Sequence, residues 1–259
     1  MLEEQSLLAL LLAFIAVMTT LLGALIIFFT KSKNEKILSS SLGFAAGVML
    51  SVSFLDLWTQ SQESLTQYLG ERWGIVFSVL FLLLGIIFAF GIDHFVPHDK
   101  SEFNQNDKPH QDLYRVGFVS MLAVMLHNLP EGIATFTAGY EDLALGVSIA
   151  LAISMHNIPE GIIVAMPIYY ATGKKKKALK YTFISGMAEP LGALLAFLAL
   201  RPFINSFNLG AIFAMVAGIM IYIAIEELIP SSRQYGHPRL SLFATFAGII
   251  IMPLSHIIF

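Results

Sequence analysis

A six-residue phrase occurs twice in the sequence, and its residue types suit metal binding. The phrase His-Asn-x-Pro-Glu-Gly begins at His127 and again at His156. Residues four apart project from one helix face, so each copy offers an imidazole and a carboxylate to one point. The proline between them lacks an N–H and bends a helix, which frees a carbonyl oxygen beside both side chains. The pattern predicts a metal site on two bent helices.

Both copies lie in apolar segments long enough to cross a bilayer, at 114–138 and 143–171. An unpaired carboxylate at membrane depth costs roughly 2.5–3.5 kcal/mol, so ionisable residues there mark functional sites. Pairing between imidazole and carboxylate without a metal would also offset this cost, and it is the alternative reading. The two histidines are 29 residues apart. That spacing predicts antiparallel helices with the two phrases at similar depth.

Further polar residues extend the predicted site. Glu189, next to Pro190 in a neighbouring apolar segment, supplies a third carboxylate. The asparagine after each histidine points about 100° away, so it would ligate a second ion or hydrogen-bond the ligands of the first. The predicted metal-site residues are His127, Asn128, Glu131, His156, Asn157, Glu160 and Glu189. Three acids near span ends are predicted to line an entrance or exit route or to snorkel to the interface: Asp56, Glu226 and Glu227.

Composition places the chain in a membrane and limits its ligands. The 259 residues are 56% hydrophobic and 13% charged, with a mean hydropathy of +0.74. Cysteine is absent, which excludes disulfides and thiolate metal sites. Imidazole with carboxylate suits Zn, Fe(II), Mn, Co or Ni rather than copper(I) or calcium. The predicted partners are divalent metal ions and the lipid bilayer; neither a prosthetic group nor nucleic acid is expected.

The apolar segments predict an all-α integral membrane protein with eight transmembrane helices in a single domain, 1–259. Each is near or above the ~20 residues that a span needs. They lie at 5–30, 37–58, 73–92, 114–138, 143–171, 178–202, 208–230 and 240–259. Small residues four apart in the second and seventh segments favour close helix packing, within the bundle or between protomers. These small residues are Gly43, Gly47, Gly210, Ala214 and Gly218.

Lysine and arginine alternate between loops. All of them except Arg72 and Arg201 lie in or beside the loops after the first, third, fifth and seventh segments. The positive-inside rule places those loops in the cytoplasm and predicts that both termini are extracytoplasmic. The longest of these loops, about 93–113, contains three histidines. It is predicted to be either a mobile segment that binds metal weakly or a solvated linker.

The two phrases resemble those of the ZIP (Zrt/Irt-like) divalent metal transporters. Gly-Met-Ala-Glu-Pro at 186–190 and Glu-Glu-Leu-Ile-Pro at 226–230 extend the resemblance over the whole chain, most closely to the short bacterial zinc-uptake branch with broad metal range. The resemblance implies zinc uptake across the cell membrane, with iron, manganese, cobalt and cadmium as further cargo. It implies a site for one or two metal ions between spans 4, 5 and 6. It also implies that spans 1, 4, 5 and 6 move as a unit, and it suggests a homodimer.

Two other functions compete with transport. An integral-membrane zinc-dependent hydrolase could use Glu131 or Glu160 as its base, but the His-Glu-x-x-His pattern of zinc proteases is missing. A metal sensor or structural membrane protein would be expected to carry a soluble domain, and the short loops leave no room for one. Topology does not decide between uptake and efflux; only the resemblance favours uptake.

Overall fold

The computed structural model describes residues 2–29, 34–95, 108–200 and 205–255, which are almost wholly helical and contain no strand. The helices are α1 Leu2–Ala24, α2 Ile26–Phe29, α3 Glu35–Ser51, α4 Trp58–Leu69, α5 Glu71–Phe95, α6 Lys108–Glu141, α7 Leu143–Thr172, α8 Lys175–Gly186, α9 Ala188–Leu195, α10 Ser206–Ile223, α11 Ile229–Arg233 and α12 Pro238–Ser255. Wider, π-helical turns occupy Val52–Leu57, Ala196–Leu200 and Ala224–Leu228. They join α3 to α4, follow α9, and join α10 to α11.

Seven helical stretches in the described residues are long and apolar enough to cross a membrane. They are Glu4–Phe29, Glu35–Leu69, Glu71–His94, Leu113–Tyr140, Leu143–Thr172, Lys175–Leu198 and Ser206–Arg233. The last predicted segment, 240–259, corresponds to a shorter apolar helix, Pro238–Leu254, and residues 256–259 lie outside the described part. The protein is therefore an all-α membrane protein, and the count of eight spans stays a prediction.

Two predicted boundaries differ from the structure. The second segment is predicted at 37–58, but its helical stretch continues to Leu69. Hydropathy ends the segment early because the last part of the helix is amphipathic, with only Ser61 and Leu65 buried. The predicted loop at about 93–113 is helical at both edges, since α5 runs to Phe95 and α6 begins at Lys108. Residues 96–107, with His98, lie outside the described residues.

The helices form two packing groups. The first group, α1, α6, α7, α8 and α9, packs mainly on itself, and so does the second group, α3, α4, α5, α10 and α12. The two groups meet chiefly where α3 contacts α7 and where α6 contacts α10. The first group contains the spans numbered 1, 4, 5 and 6 in the sequence.

The small residues of the second and seventh spans serve packing within one chain. A Cβ added at Gly47 of α3 would lie 2.0 Å from the carbonyl oxygen of Thr245 in α12. One added at Gly218 of α10 would lie 2.1 Å from the carbonyl oxygen of Leu82 in α5. Only glycine permits these close approaches, so both sites are used inside the bundle.

The lysine-bearing connections meet at one end of the bundle. The Tyr170 hydroxyl donates to the Asn34 carbonyl at 3.0 Å, and Lys177 lies 4.4 Å from the ring centroid of Tyr114. We call this the basic end. At the opposite end the Ser206 hydroxyl donates to the Gln67 side chain at 3.2 Å. The basic residues of alternate loops thus lie at the same end of the bundle.

Candidate metal centre

The two phrases lie on long antiparallel helices that stay helical through their prolines. His127 and Glu131 are in the middle of α6, and His156 and Glu160 are in the middle of α7. All four side chains are buried, although they are polar. Spacing of four residues puts each pair on one helix face, and packing of α6 on α7 turns those two faces toward each other.

Three of the four side chains meet around one carboxylate oxygen, and Glu160 joins them through His127. Oε1 of Glu131 lies 2.6 Å from Nε2 of His156 and 2.9 Å from Nε2 of His127. The same His127 nitrogen is 3.1 Å from Oε1 of Glu160. Ligand atoms of His127, Glu131 and His156 all lie within 4.8 Å of one another. Imidazole nitrogens and carboxylate oxygens at such separations form a donor set that suits Zn²⁺ and similar cations.

Several buried polar atoms around this group have no hydrogen-bond partner. They include one carboxylate oxygen each of Glu131 and Glu189, the side-chain oxygen of Asn157, and Nδ1 of His127. Buried polar atoms in folded proteins are almost always satisfied. Bound cations would satisfy these oxygens, which favours a metal site over imidazole–carboxylate pairing alone.

A cavity of about 380 Å³ reaches this group from the end opposite the basic one. Glu131 and His156 line its inner part, while Asp56 and the exposed Gln60 line its outer part. Asp56 belongs to the π-helical turn Val52–Leu57, a type of turn that often occurs at functional sites. Asp56 thus lines this cavity, whereas Glu226 and Glu227, on the turn Ala224–Leu228, lie near the basic end.

Comparison with known proteins shows the family of the chain. A model of the family described as ZIP zinc transporter matches residues 6–117 and 98–256. The chain belongs to the ZIP zinc transporter family. It is 45% identical to the zinc transporter ZupT of Oceanobacillus iheyensis, with 97% of this chain and 98% of the relative covered. The zinc transporters ZupT of Streptococcus mutans (42%, 97% of each chain) and Campylobacter jejuni (38%, 97% and 96%) are also similar.

Membership of the ZIP family decides between the functional classes. The protein is a metal transporter rather than an enzyme, so the membrane hydrolase alternative is wrong. With its seven long apolar helices in the described residues, it is a multi-pass protein of the plasma membrane.

In this ZIP protein each asparagine of the phrases contacts a carboxylate from the next span. The Asn128 amide nitrogen donates to Oε2 of Glu160 at 3.0 Å when the amide is oriented to suit its neighbours. The Asn157 amide nitrogen donates to Oε2 of Glu189 at 3.0 Å and to the Ala16 carbonyl at 3.2 Å. Glu189 therefore joins the group through Asn157.

The glycine that ends each phrase has a structural role that residue spacing did not predict. A Cβ at Gly132 would lie 1.8 Å from the Glu189 carbonyl oxygen, and Gly192 faces the Leu129 carbonyl in the same way at 2.0 Å. These two glycines let α6 and α9 approach each other. Gly161 and Gly23 form the matching pair between α7 and α1. The sequence signal for this role is the glycine that both phrases have at their sixth position.

Proposed function

We propose that this ZIP transporter carries zinc into the cytoplasm through the site between α6, α7 and α9. The observation that carries the proposal is the convergence of His127, Glu131 and His156, from two helices, on a point at the end of a cavity. The related proteins named above are zinc transporters, which favours zinc as the cargo. Uptake rather than efflux is the direction that the family resemblance favours.

The proposed ligands divide into two sets. His127, Glu131, His156 and Glu160 would hold one ion, because their nitrogen and oxygen atoms already lie 2.6–3.1 Å apart around Glu131 and His127. Glu189 would serve a second ion together with the free oxygen of Asn157. Unpartnered buried oxygens on both residues support this second position. Asn128 would complete the site by holding Glu160. Three carboxylates balance most of the charge of two divalent cations.

We further propose eight spans in one domain, with both termini outside the cytoplasm. The support is the segregation of lysines at the basic end, which the positive-inside rule assigns to the cytoplasm. The cavity would then open to the exterior, where the cargo enters. Pairing of two copies as a homodimer and a role for the histidine-containing loop stay predictions.

Zinc uptake measured in cells that express the wild type and Glu160→Ala tests the proposal. We expect saturable uptake of radioactive zinc by the wild type and a loss of at least about tenfold in the variant, because a buried ligand is removed. Iron, manganese, cobalt and cadmium as competitors rank the further cargo that the donor set would accept.

The control for this experiment is Glu63→Gln, which removes a carboxylate from α4 outside the site. It should leave uptake unchanged. Absence of saturable zinc uptake by folded wild type, or equal uptake by the wild type and Glu160→Ala, would overturn the proposed function.

Asn157 has two roles at the proposed second position, since its amide nitrogen holds Glu189 and its oxygen faces the ion as a ligand. Asn157→Val removes the donor to Glu189, and we expect zinc affinity to fall about 10–100-fold, as for other groups that orient a ligand. A double-mutant cycle with Glu189→Gln, measured by zinc titration of purified protein, separates orientation from independent ligation.

If Asn157 works only by orienting Glu189, the double variant binds zinc no more weakly than Glu189→Gln alone. Additive losses would instead show that Asn157 contributes to binding independently. Asn205→Val is the control, since this asparagine caps α10 at the far end of the bundle.

A further inference from the structure

Arg115 forms an ion-pair cluster away from the metal centre, near the basic end. Its guanidinium donates to Oδ1 and to the carbonyl of Asp93 in α5, and at 2.7 Å to Oε1 of Glu227. The Tyr222 hydroxyl donates to the other Asp93 oxygen at 3.2 Å. The Arg115 side chain is 16% exposed and that of Glu227 only 6%. Hydrogen bonds from a charged guanidinium to carboxyl groups are among the stronger ones in proteins.

This cluster joins the two packing groups. Arg115 belongs to α6 in the first group, whereas Asp93 belongs to α5 in the second. Tyr222 of α10 and Glu227, on the π-helical turn Ala224–Leu228 that continues it, are also on the second side. The wider turn lies at the point where Glu227 reaches across. A rigid-body movement of one group against the other must therefore break or remake these bonds.

The region between this cluster and the metal centre is closely packed. Arg115 and His127 are separated by about 18 Å along α6, at 1.5 Å per residue. Over that length Val116, Val119 and Val124 are almost fully buried. Val119 lies among side chains of α5 and α10, so this packing is at the boundary between the groups. The Tyr114 and Tyr181 hydroxyls add a 2.5 Å hydrogen bond near the same end.

The two ends of the bundle thus differ. The cavity connects the metal centre with the end opposite the basic one, while the route toward the basic end is closed by packing and by the Arg115 cluster. Transporters with a fixed central site work by moving one helix group against another, so that one side opens while the other closes. In this protein the ion pairs that join the two helix groups lie on the closed side.

We propose that Arg115, Asp93 and Glu227 form a lock that holds the basic end closed while the cavity is open at the other end. The inference rests on the proposed function, because it assigns the basic end to the cytoplasm and zinc release to that side. When the groups move, Arg115 leaves both carboxylates, which then face the opened route. Asp93 and Glu227 are hydrated in that state, and this offsets part of the lost pairing.

Cysteine labelling without zinc tests the lock directly, since the chain has no cysteine of its own. Val119→Cys, buried at the group boundary, should be protected from a maleimide added at the basic end. Adding Arg115→Gln should raise the labelling rate by at least about tenfold, the change expected from the loss of a charged hydrogen bond. Arg233→Gln is the matched control, because it removes the same charge from an exposed position at that end.

Charge reversal distinguishes a lock from general destabilisation. Arg115→Glu alone should increase labelling of Val119→Cys, and Arg115→Glu combined with Glu227→Arg should restore protection by re-forming a cross-group pair. Tyr222→Phe removes only the hydroxyl hydrogen bond to Asp93 and should give a smaller increase in labelling. This variant replaces the Arg115 variants in the test if they do not fold. Unchanged labelling in folded Arg115→Gln, or in Tyr222→Phe where that variant is used, would overturn the lock. Equal labelling of single and double charge-reversed variants would also overturn it.

Zinc uptake by the same proteins separates this proposal from the proposed function. Normal uptake by the wild type with unchanged labelling in Arg115→Gln would show that the lock is wrong and transport is right. Increased labelling in Arg115→Gln with no zinc uptake by the wild type would support the lock and overturn the proposed transport function.

Discussion

Glu131→Gln is expected to lower zinc uptake by at least about a hundredfold, more than a residue that only orients a ligand would. One oxygen of Glu131 lies within 2.9 Å of the Nε2 atoms of both His127 and His156. It is thus the atom shared by the two phrases. Glutamine keeps the shape of the side chain but removes the charge, and its amide group replaces one of the two equivalent oxygens. A divalent cation would lose both a ligand and a counter-charge.

The measurement is zinc uptake in vesicles together with zinc titration of purified protein. Glu71→Gln is the matched control. It removes the same charge from an exposed glutamate at the end opposite the basic one, where the side chain has no contact with the site. We expect wild-type uptake for the control and no resolvable high-affinity binding for Glu131→Gln. Uptake by folded Glu131→Gln within about threefold of wild type would contradict the assignment of Glu131 as a central ligand.

The central group could be predicted from the sequence because its geometry is mostly local. Spacing of four residues fixes the relation of His127 to Glu131, and of His156 to Glu160, on any helix. The short connection at Asp142 then forces the two helices to run antiparallel, which brings the phrases to similar depth. The structure brings these four side chains together as that reasoning required, although their role as ligands stays a proposal.

The partners of Asn128 and Asn157 could not be predicted in the same way. Their direction relative to each histidine follows from helix geometry, but their targets depend on the rotation of the helices about their axes. That rotation is set by the backbone contacts of Gly132 with α9 and Gly161 with α1. Such contacts arise between residues far apart in the chain, and no local pattern specifies them.

Hydropathy located the seven long apolar helices of the described residues but not the wider turns within them. The helix from α3 into α4 passes through Val52–Leu57, where the sequence is mostly apolar and nothing in it marks the wider turn. The partners of Arg115 were missed for a related reason. Positive-inside counting treats Arg115 only as one of the basic residues that fix orientation, whereas its partners Asp93 and Glu227 lie 22 and 112 residues away along the chain. Charge counting does not show which basic residue is buried and paired.

Gly132→Ala is expected to reduce zinc uptake by at least about tenfold and to lower thermal stability. The added Cβ would lie 1.8 Å from the Glu189 carbonyl oxygen, where ordinary contact begins near 3.4 Å, so α9 must move by more than an ångström. Overpacking of this kind costs about 1–3 kcal/mol even against side chains that can adjust. Here the obstacle is backbone, and its displacement carries Glu189 away from Asn157. Uptake and the melting temperature in detergent are the two measurements.

The control is Gly91→Ala, a glycine in α5 whose Cβ would meet nothing within 4 Å. It should keep uptake and lose no stability, since alanine is a better helix former than glycine. Gly132→Ala with the uptake and melting temperature of Gly91→Ala would contradict the close approach of α6 and α9.

Gly192→Ala tests whether Gly132→Ala acts by displacing a helix or by disturbing Glu131, the residue next to Gly132. Its Cβ would lie 2.0 Å from the Leu129 carbonyl, so it forces apart the same two helices from the α9 side. If displacement is the cause, Gly192→Ala reproduces both losses of Gly132→Ala, and the double variant is less than additive because one movement relieves both clashes. If only Gly132→Ala impairs uptake, the effect comes from Glu131 instead. Alanine at Gly161 or Gly23 should have the same effects through displacement of α7 from α1, because the second phrase makes the same close contact there.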